Sequence, residues 1–309
     1  MKQTTSTILM IEPTGFGYNP EAASTNSFQK ESRDFTPSQI QDIAVLEFRN
    51  AVAELRNLGV EVITLRDPEN AGTPDSVFPN NWFSTHAEGQ LVTYPMASPS
   101  RRKERRPKVI EQIKNACGCG EHVMLESFEE QETPVFLEGT GSMVLDRVNK
   151  IAYAAVSPRT NVEVLQQFCD RLGYQAHTFK AYGAAGELIY HTNVMMCIGD
   201  TYAIVALDTV AVQDRQKLRD SLSESGKEII EISKEQTYQH FAGNMLQVEN
   251  QLGERILVMS KAAYESLTPL QLERVQAHNE YLLYPPIHVI EQAGGGSIRC
   301  MIAELFKKV

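Results

Sequence analysis

Five short segments of this chain share one design: an apolar or glycine-rich lead, a polar residue, then a hydrophobic run that ends in a turn. They are SVFPNNWFST around Asn80, FLEGTGSMVLD around Glu138, IYHTNVMMCIGD around His191, FAGNMLQVEN around Asn244 and GGGSIRCMIAEL around Cys300. Successive polar residues are 58, 53, 53 and 56 positions apart. Such a period is the mark of stacked supersecondary units, none of which can bury its own hydrophobic faces alone. The sequence that follows each segment is also alike. After Glu138 come a turn at Arg147-Val148-Asn149, an apolar run IAYAAVS, an amphipathic stretch NVEVLQQFCDRLG and the run YQAHTFKA. Asn161 is placed as an N-cap and Gly173 as a C-terminal stop. The pattern predicts ββαβ for each unit. It repeats after Asn80 (LVTYPM, a helix KERRPKVIEQIKNAC, HVMLES), after His191 (TYAIVAL, DRQKLRDSLSES, EIIEIS) and after Asn244 (RILVMS, PLQLERVQAHN, IHVIE).

The fifth unit is split. Cys300 is expected on a strand near the C-terminus, whereas TILMIE, the helical stretch 38–59 and VEVITLR open the chain. Pairing the last strand with the first would close a ring and remove an open edge. The expectation is therefore one α/β domain over 1–309, a five-module ββαβ propeller with near-fivefold symmetry. Equivalent positions would converge on the axis, bringing Asn80, Glu138, His191, Asn244 and Cys300 into one central site.

Charge and cysteine usage narrow the function classes. The 309 residues carry 29 Lys+Arg against 39 Asp+Glu, a net charge of −10. An acidic chain with a single short basic cluster (RRKERRP, 101–107) argues against nucleic-acid and membrane-surface partners. No apolar run reaches the ~18 residues of a membrane span, and the N-terminus lacks the pattern of a secretory signal. The five cysteines include no CxxC pair, and Cys117-Gly-Cys119 has the wrong spacing for a zinc knuckle. Scattered free thiols point to a reducing, cytoplasmic setting.

A lone cysteine is usually a small buried hydrophobe, and Cys169 and Cys197 fit that description. Cys300 differs. It follows Gly294-Gly295-Gly296, which allows close backbone approach and free N–H donors, and it adjoins Arg299, whose charge would favour a thiolate if it points the same way. Nucleophilic cysteine chemistry also needs a proton shuttle and a group that orients it. His191 and Glu138, in register with Cys300, supply them. Glu138 between apolar Phe136-Leu137 and Gly139 is an unusual place for an unpaired carboxylate. Metal ligation would want ligands at short spacing, and these lie more than fifty residues apart. No phosphate-binding glycine loop precedes a helix.

FLEG, HTN and GGGSIRCM, in this order, resemble the guanidine-modifying enzyme (pentein) superfamily: arginine deiminase, dimethylarginine dimethylaminohydrolase, agmatine deiminase and the amidinotransferases. PDSVF (74–78), SPSRRKE (98–104) and SPRTN (157–161) are similar to stretches of the dimethylarginine hydrolases. The resemblance covers nearly the whole chain. It is closest to the arginine-deiminase-related family that contains bacterial citrulline hydrolases, through Phe16-Gly17-Tyr18-Asn19, Asn26-Ser27-Phe28-Gln29 and PDSVFPNNW. It implies a pentein fold, Cys300 as nucleophile, His191 as acid/base with Glu138 beside it, and substrate α-carboxylate binding by Arg159 and by Arg101 or Arg102. No metal or organic cofactor is implied.

The departures bear on the substrate. Where the dimethylarginine hydrolases have an acidic pair this chain has Asn80-Asn81, and where arginine deiminases have HxD it has His191-Thr192-Asn193. Carboxylates there neutralise a guanidinium, whereas amides give donors and acceptors without charge. That suits a neutral ureido group, with Asp75 left for the α-amino group. The expectation is cleavage of the terminal C–N bond of citrulline, with Asp75, Asn80, Asn81, Asn193 and Asn244 among the substrate contacts and residues 13–36 as a lid. The alternatives are a guanidino hydrolase or deiminase, an amidinotransferase, or a non-catalytic binding protein of the same fold. The partner is a small amino acid, and a homo-oligomeric state is allowed.

Overall fold

The computed structural model describes residues 2–308. Its strands form five three-stranded sheets. In chain order they are Phe83–Thr85, Gln90–Thr93 and Glu121–Met124; Val144–Asp146, Ile151–Ala155 and Gln175–Phe179; Met196–Ile198, Tyr202–Val205 and Glu228–Glu231; Leu246–Glu249, Arg255–Val258 and Tyr281–Leu283. In each, the first two strands form an antiparallel hairpin, and a helical crossover returns the third parallel to the second. The crossover is needed because a parallel neighbour cannot be reached by a tight turn.

The fifth sheet joins the chain ends as expected. Ala303–Glu304 pairs antiparallel with Thr7–Glu12, in the register Ile8 with Glu304 and Leu9 with Ala303. Glu61–Arg66 completes it in parallel. The first helix of this sheet runs Pro37–Asn57, and Thr36 and Gln39 close a capping box at its start. Helix Val162–Leu172 begins at Asn161, whose side chain accepts from Glu163 N and Val164 N, and stops at Gly173 with φ 68°. Both signals were readable in the sequence.

Four local expectations are corrected. IHVIE is not a strand: His288–Gly294 is a helix, and Tyr281–Leu283 is the third strand of its sheet. Pro285-Pro286 ends that strand, and the buried Val289, Ile290 and Ala293 fall on one helical face against Pro37–Asn57. Glu47 from the latter helix accepts Val289 N and Ile290 N at 3.0 and 2.9 Å, satisfying N–H groups that a helix start leaves open. The expected helix from Lys103 divides into a turn Pro99–Arg102 and a helix Pro107–Cys117, which starts on proline.

Cys300 does not lie on a strand but on a turn before one. Cys300 N donates to Ser297 O at 2.9 Å, and Met301 N to Ile298 O at 3.1 Å. The same device recurs round the ring. Short helical turns at Pro79–Asn81, Gly139–Ser142 and Thr192–Val194 each precede a first strand. Asn244 N closes a similar turn onto Phe241 O at 2.8 Å. Finally, the thiols are not all free, because Cys117 and Cys119 are joined as a disulfide. The left-handed Gly118 that caps helix Pro107–Cys117 folds Cys119 back beside Cys117, which sequence spacing alone does not reveal. Cys169, Cys197 and Cys300 are free and buried. Among the described residues no helix is long and apolar enough to cross a membrane.

Candidate active site

The turns that precede the first strands carry polar side chains to a small cavity. Its wall includes Cys300, His191, Asp75, Asn81, Arg101 and Arg159, with Tyr190 and the glycine run 294–296. Its volume is about 20 Å³, space for roughly one or two waters.

Glu138 stands behind His191 and is fully buried. Its Oε2 accepts from His191 Nε2 at 2.7 Å and from Arg159 Nη1 at 3.3 Å, while Oε1 accepts from Ala97 N at 3.0 Å. Burial alone would push the Glu138 carboxyl up, but Arg159 and the His191 hydrogen bond outweigh it and hold it well below the usual carboxylate range. Burial pulls the His191 imidazole below its ordinary value despite that carboxylate, with Arg159 and Arg101 adding to the effect. This balance favours the neutral imidazole. With Nε2 bonded to Glu138, Nδ1 is the nitrogen left for proton transfer. Nδ1 and Asn81 Nδ2 both lie over Gly141, where a Cβ would be 2.7 Å from the first and 2.3 Å from the second.

Burial pushes the Cys300 thiol up, while bonds from Asn244 and Asn193 and the charge of Arg299 oppose it. Arg299 does not bond the sulfur. Its guanidinium turns to Ile302 O and Glu304 Oε2, both at 2.9 Å.

The asparagines separate. Asn81 lines the cavity, its Oδ1 accepting from Arg101 Nη1 at 2.6 Å, and its Nδ2 is buried with no hydrogen-bond partner among the described residues. Asn80 is outside the cavity wall, with Nδ2 donating to Thr140 Oγ1 at 3.2 Å. Asn193 and Asn244 are also outside that wall, and both donate to the Cys300 sulfur, at 3.5 and 3.3 Å. Asp75 accepts from Asn19 Nδ2 at 2.7 Å through Oδ2, and its Oδ1 is buried with no hydrogen-bond partner among the described residues.

The arginines separate too. Arg102 points away, with Nε donating to Met96 O at 2.8 Å, and is absent from the cavity wall. Arg101 is at the wall, but its Nε and Nη2 are taken by Glu104 at 3.0 and 3.1 Å and its Nη2 also by Phe78 O at 2.7 Å. Arg159 holds the N-terminal loop. Its Nη2 donates to Ala22 O at 2.7 Å, and Nε and Nη2 donate to Thr25 Oγ1 at 2.8 and 2.6 Å.

That loop closes the cavity. Ala22 and Asn26 are in its wall, and Asn26 Nδ2 donates to Gly295 O at 3.1 Å. Gly295 has φ +64°, and a Cβ there would meet Asn26 Nδ2 at 2.6 Å and Gln29 N at 2.7 Å, so the glycine run admits the loop. Phe28 anchors the loop among Tyr190, Tyr238 and Phe241, its ring stacked on Tyr238 at 5.2 Å. The sequence reading missed Glu104, Gly141, Tyr190, Asn19 and Thr25 as site residues. Glu104, three residues after Arg101, carried the only periodic signal among them. Among the described residues no cluster of three or more His, Cys, Asp and Glu side chains is arranged to hold a metal ion.

Comparison with known proteins identifies the fold and the family. The sequence profile of eukaryotic N,N dimethylarginine dimethylhydrolases matches residues 12–307. No curated protein matches the chain. Among solved structures, the substrate-bound N-terminal domain of ArgZ, an arginine dihydrolase from the ornithine-ammonia cycle in cyanobacteria, superposes with a TM-score of 0.74 at 15% identity, covering 98% of each chain. Unliganded AgrE gives 0.74 at 16% identity over 98% of this chain and 39% of its own. A dimethylarginine dimethylaminohydrolase in its adduct with S-methyl-L-thiocitrulline gives 0.64 at 17% identity, over 98% and 100% of the two chains. These neighbours share the five-sheet ring, and the profile match spans nearly all of it. The chain belongs to the N,N dimethylarginine dimethylhydrolase family and, with it, to the pentein superfamily of guanidine-modifying enzymes.

Proposed function

We propose that this protein hydrolyses the bond between the ureido carbon and the δ-nitrogen of a ureido amino acid, citrulline fitting best, to give ornithine, ammonia and carbon dioxide. One observation carries the reading: among the described residues, two wall side chains keep a buried polar atom without a hydrogen-bond partner, a donor on Asn81 (Nδ2) and an acceptor on Asp75 (Oδ1). Arg101 has only donors to offer, so its bond to Asn81 Oδ1 fixes which way the amide faces. A ureido group brings one C=O for that donor and N–H groups for the carboxylate. A guanidinium brings N–H groups alone and would leave the Asn81 donor unpaired, at a cost of about 1–3 kcal/mol.

As the Cys300 sulfur bonds the ureido carbon, its proton passes to His191 Nδ1, and the former carbonyl oxygen takes the negative charge beside Asn81 Nδ2. His191, held by Glu138, then protonates the δ-nitrogen, the C–N bond breaks and ornithine leaves a carbamoyl thioester. Water attacks that carbon while His191 takes its proton, the C–S bond breaks, and the carbamate released decays to ammonia and carbon dioxide. Arg159 receives the substrate carboxylate in exchange for the loop oxygens of Ala22 and Thr25. Arg101, its Nε and Nη2 held by Glu104 and Phe78 O, serves to orient Asn81 through Nη1.

The free carboxylate oxygen of Asp75 favours a second reading, hydrolysis of arginine or a methylated arginine, in line with the family and with the arginine dihydrolase among the neighbours. Acid quench during turnover of citrulline, followed by mass spectrometry, tests the covalent step. A carbamoyl group is expected on the peptide holding Cys300, and neither adduct nor ornithine in Cys300→Ala. Ornithine release by Cys300→Ala would overturn the nucleophile assignment, and a folded enzyme with neither adduct nor turnover on any ureido or guanidino acid would favour a binding protein.

A further inference from the structure

The sulfur of Cys300 is almost wholly buried, a place where an anion is costly without compensation. Among the described residues no cation hydrogen-bonds it. The charged and titratable groups around it are His191, Asp75, Arg101, Arg159 and Tyr190 in the cavity wall, Glu138 behind His191, and Arg299 next in sequence but turned to Glu304. Its side-chain donors are instead two neutral amides, Asn244 Nδ2 at 3.3 Å and Asn193 Nδ2 at 3.5 Å.

The two amides are themselves organised. Asn244 Nδ2 also donates to the backbone oxygen of Asn193 at 3.0 Å, which fixes the orientation of its amide. Asn244 Oδ1 then lies 3.6 Å from the same sulfur, where a thiol S–H donates. One amide thus offers an acceptor to the thiol and a donor to the thiolate, so the sulfur can change protonation state without movement of heavy atoms. Both residues occupy the turn before a first strand, in the modules of His191 and Asn244, and neither lines the cavity of Asp75 and Asn81.

We propose that Asn193 and Asn244 form an amide cradle that stabilises the Cys300 thiolate, acting on the nucleophile and not on the substrate. The proposal rests on the reading of Cys300 as nucleophile. When the thiolate forms, the S–H bond breaks, its electron pair stays on sulfur, the proton goes to His191 Nδ1, and the two N–H donors point at the new charge. Hydrogen bonds to charged groups are each worth enough to move a thiol by about one unit.

The test is the pH profile of Cys300 alkylation by iodoacetamide, read peptide by peptide in wild type, Asn193→Ala, Asn244→Ala and Asn244→Asp. Each alanine variant is expected to raise the apparent thiol pKa by about one unit, slowing alkylation near pH 7 about tenfold, and to lower kcat with KM for citrulline held. Asn244→Asp, nearly isosteric and so a guard against misfolding, keeps an acceptor and adds charge and is expected to raise it further. An unchanged alkylation profile in folded variants, or a raised KM at unchanged kcat, overturns the cradle. Turnover by Cys300→Ala would sink the nucleophile reading instead, whether or not the alkylation profiles shift.

Discussion

Replacing Gly141 by alanine tests the spatial heart of the site with a single methyl group. The new Cβ would lie 2.3 Å from Asn81 Nδ2 and 2.7 and 2.8 Å from His191 Nδ1 and Cε1. Non-bonded atoms settle near about 3.5 Å, so the amide and the imidazole must each retreat by roughly 1 Å. Neither is free to do so, since His191 is bonded to Glu138 at 2.7 Å and Asn81 to Arg101 at 2.6 Å. Misplacement of a reacting group by about 1 Å costs on the order of 100-fold in rate, or about 2.7 kcal/mol of barrier. The fold should suffer less. Gly141 has no positive φ, so alanine gains about 0.5–1 kcal/mol of backbone entropy against an overpacking cost of about 1–3 kcal/mol. Ornithine release under saturating substrate should therefore fall about 100-fold with a small change in melting temperature. Gly120→Ala, whose Cβ meets nothing within 4 Å, should leave both unchanged. Full kcat in Gly141→Ala would refute the placement of the ring and the amide over this glycine.

Three further outcomes follow from the same contacts. Glu138→Gln keeps an acceptor for Ala97 N but removes the counter-charge to Arg159, so kcat should fall by about 10²–10⁴ and chemical denaturation should show a loss of about 3–5 kcal/mol. Glu291, buried with Ser297 Oγ at 2.6 Å, has its carboxyl pushed by burial to about 7. Its folded value exceeds its unfolded one, so the native state binds the extra proton, and stability is greatest at low pH and lost as pH rises through 7. The melting temperature of Glu291→Gln should therefore exceed that of wild type by more at pH 8.5 than at pH 5.5, and a pH-independent difference would contradict the assignment. Phe28→Ala removes the loop's aromatic anchor, worth about 3–5 kcal/mol in a packed core. A looser loop should speed Cys300 alkylation at fixed pH by roughly tenfold or more, whereas an unchanged rate would show that the loop does not control access.

The ring was legible because its signal is periodic. Asn80, Glu138, His191, Asn244 and Cys300 fall in phase because each belongs to the turn that delivers a first strand, and the apolar runs beside them announce the hairpins. Caps were legible where one residue does a local job, as with Asn161 and Gly173. Direction was not. Arg101 and Arg102 are neighbours on one short turn, and successive residues of a helix diverge by about 100°, so only coordinates tell which faces the cavity. The same holds for Asn80 and Asn81. Val289 and Ile290 read as strand because β-branched pairs fit either element, and the helix wins through a distant contact with Glu47. Asn193 and Asn244 were singled out by position, yet their partner is the cysteine, through hydrogen bonds across more than fifty residues that no local pattern encodes.

On the proposed reading the cavity recognises a neutral ureido group through a donor on Asn81 and an acceptor on Asp75. The most direct test of this reading is kcat/KM for citrulline and for arginine, measured side by side on the purified enzyme by ornithine and ammonia release. Leaving the Asn81 donor unpaired against a guanidinium costs about 1–3 kcal/mol, so citrulline should be favoured by roughly fivefold to 150-fold. Equal or greater turnover of arginine would contradict it.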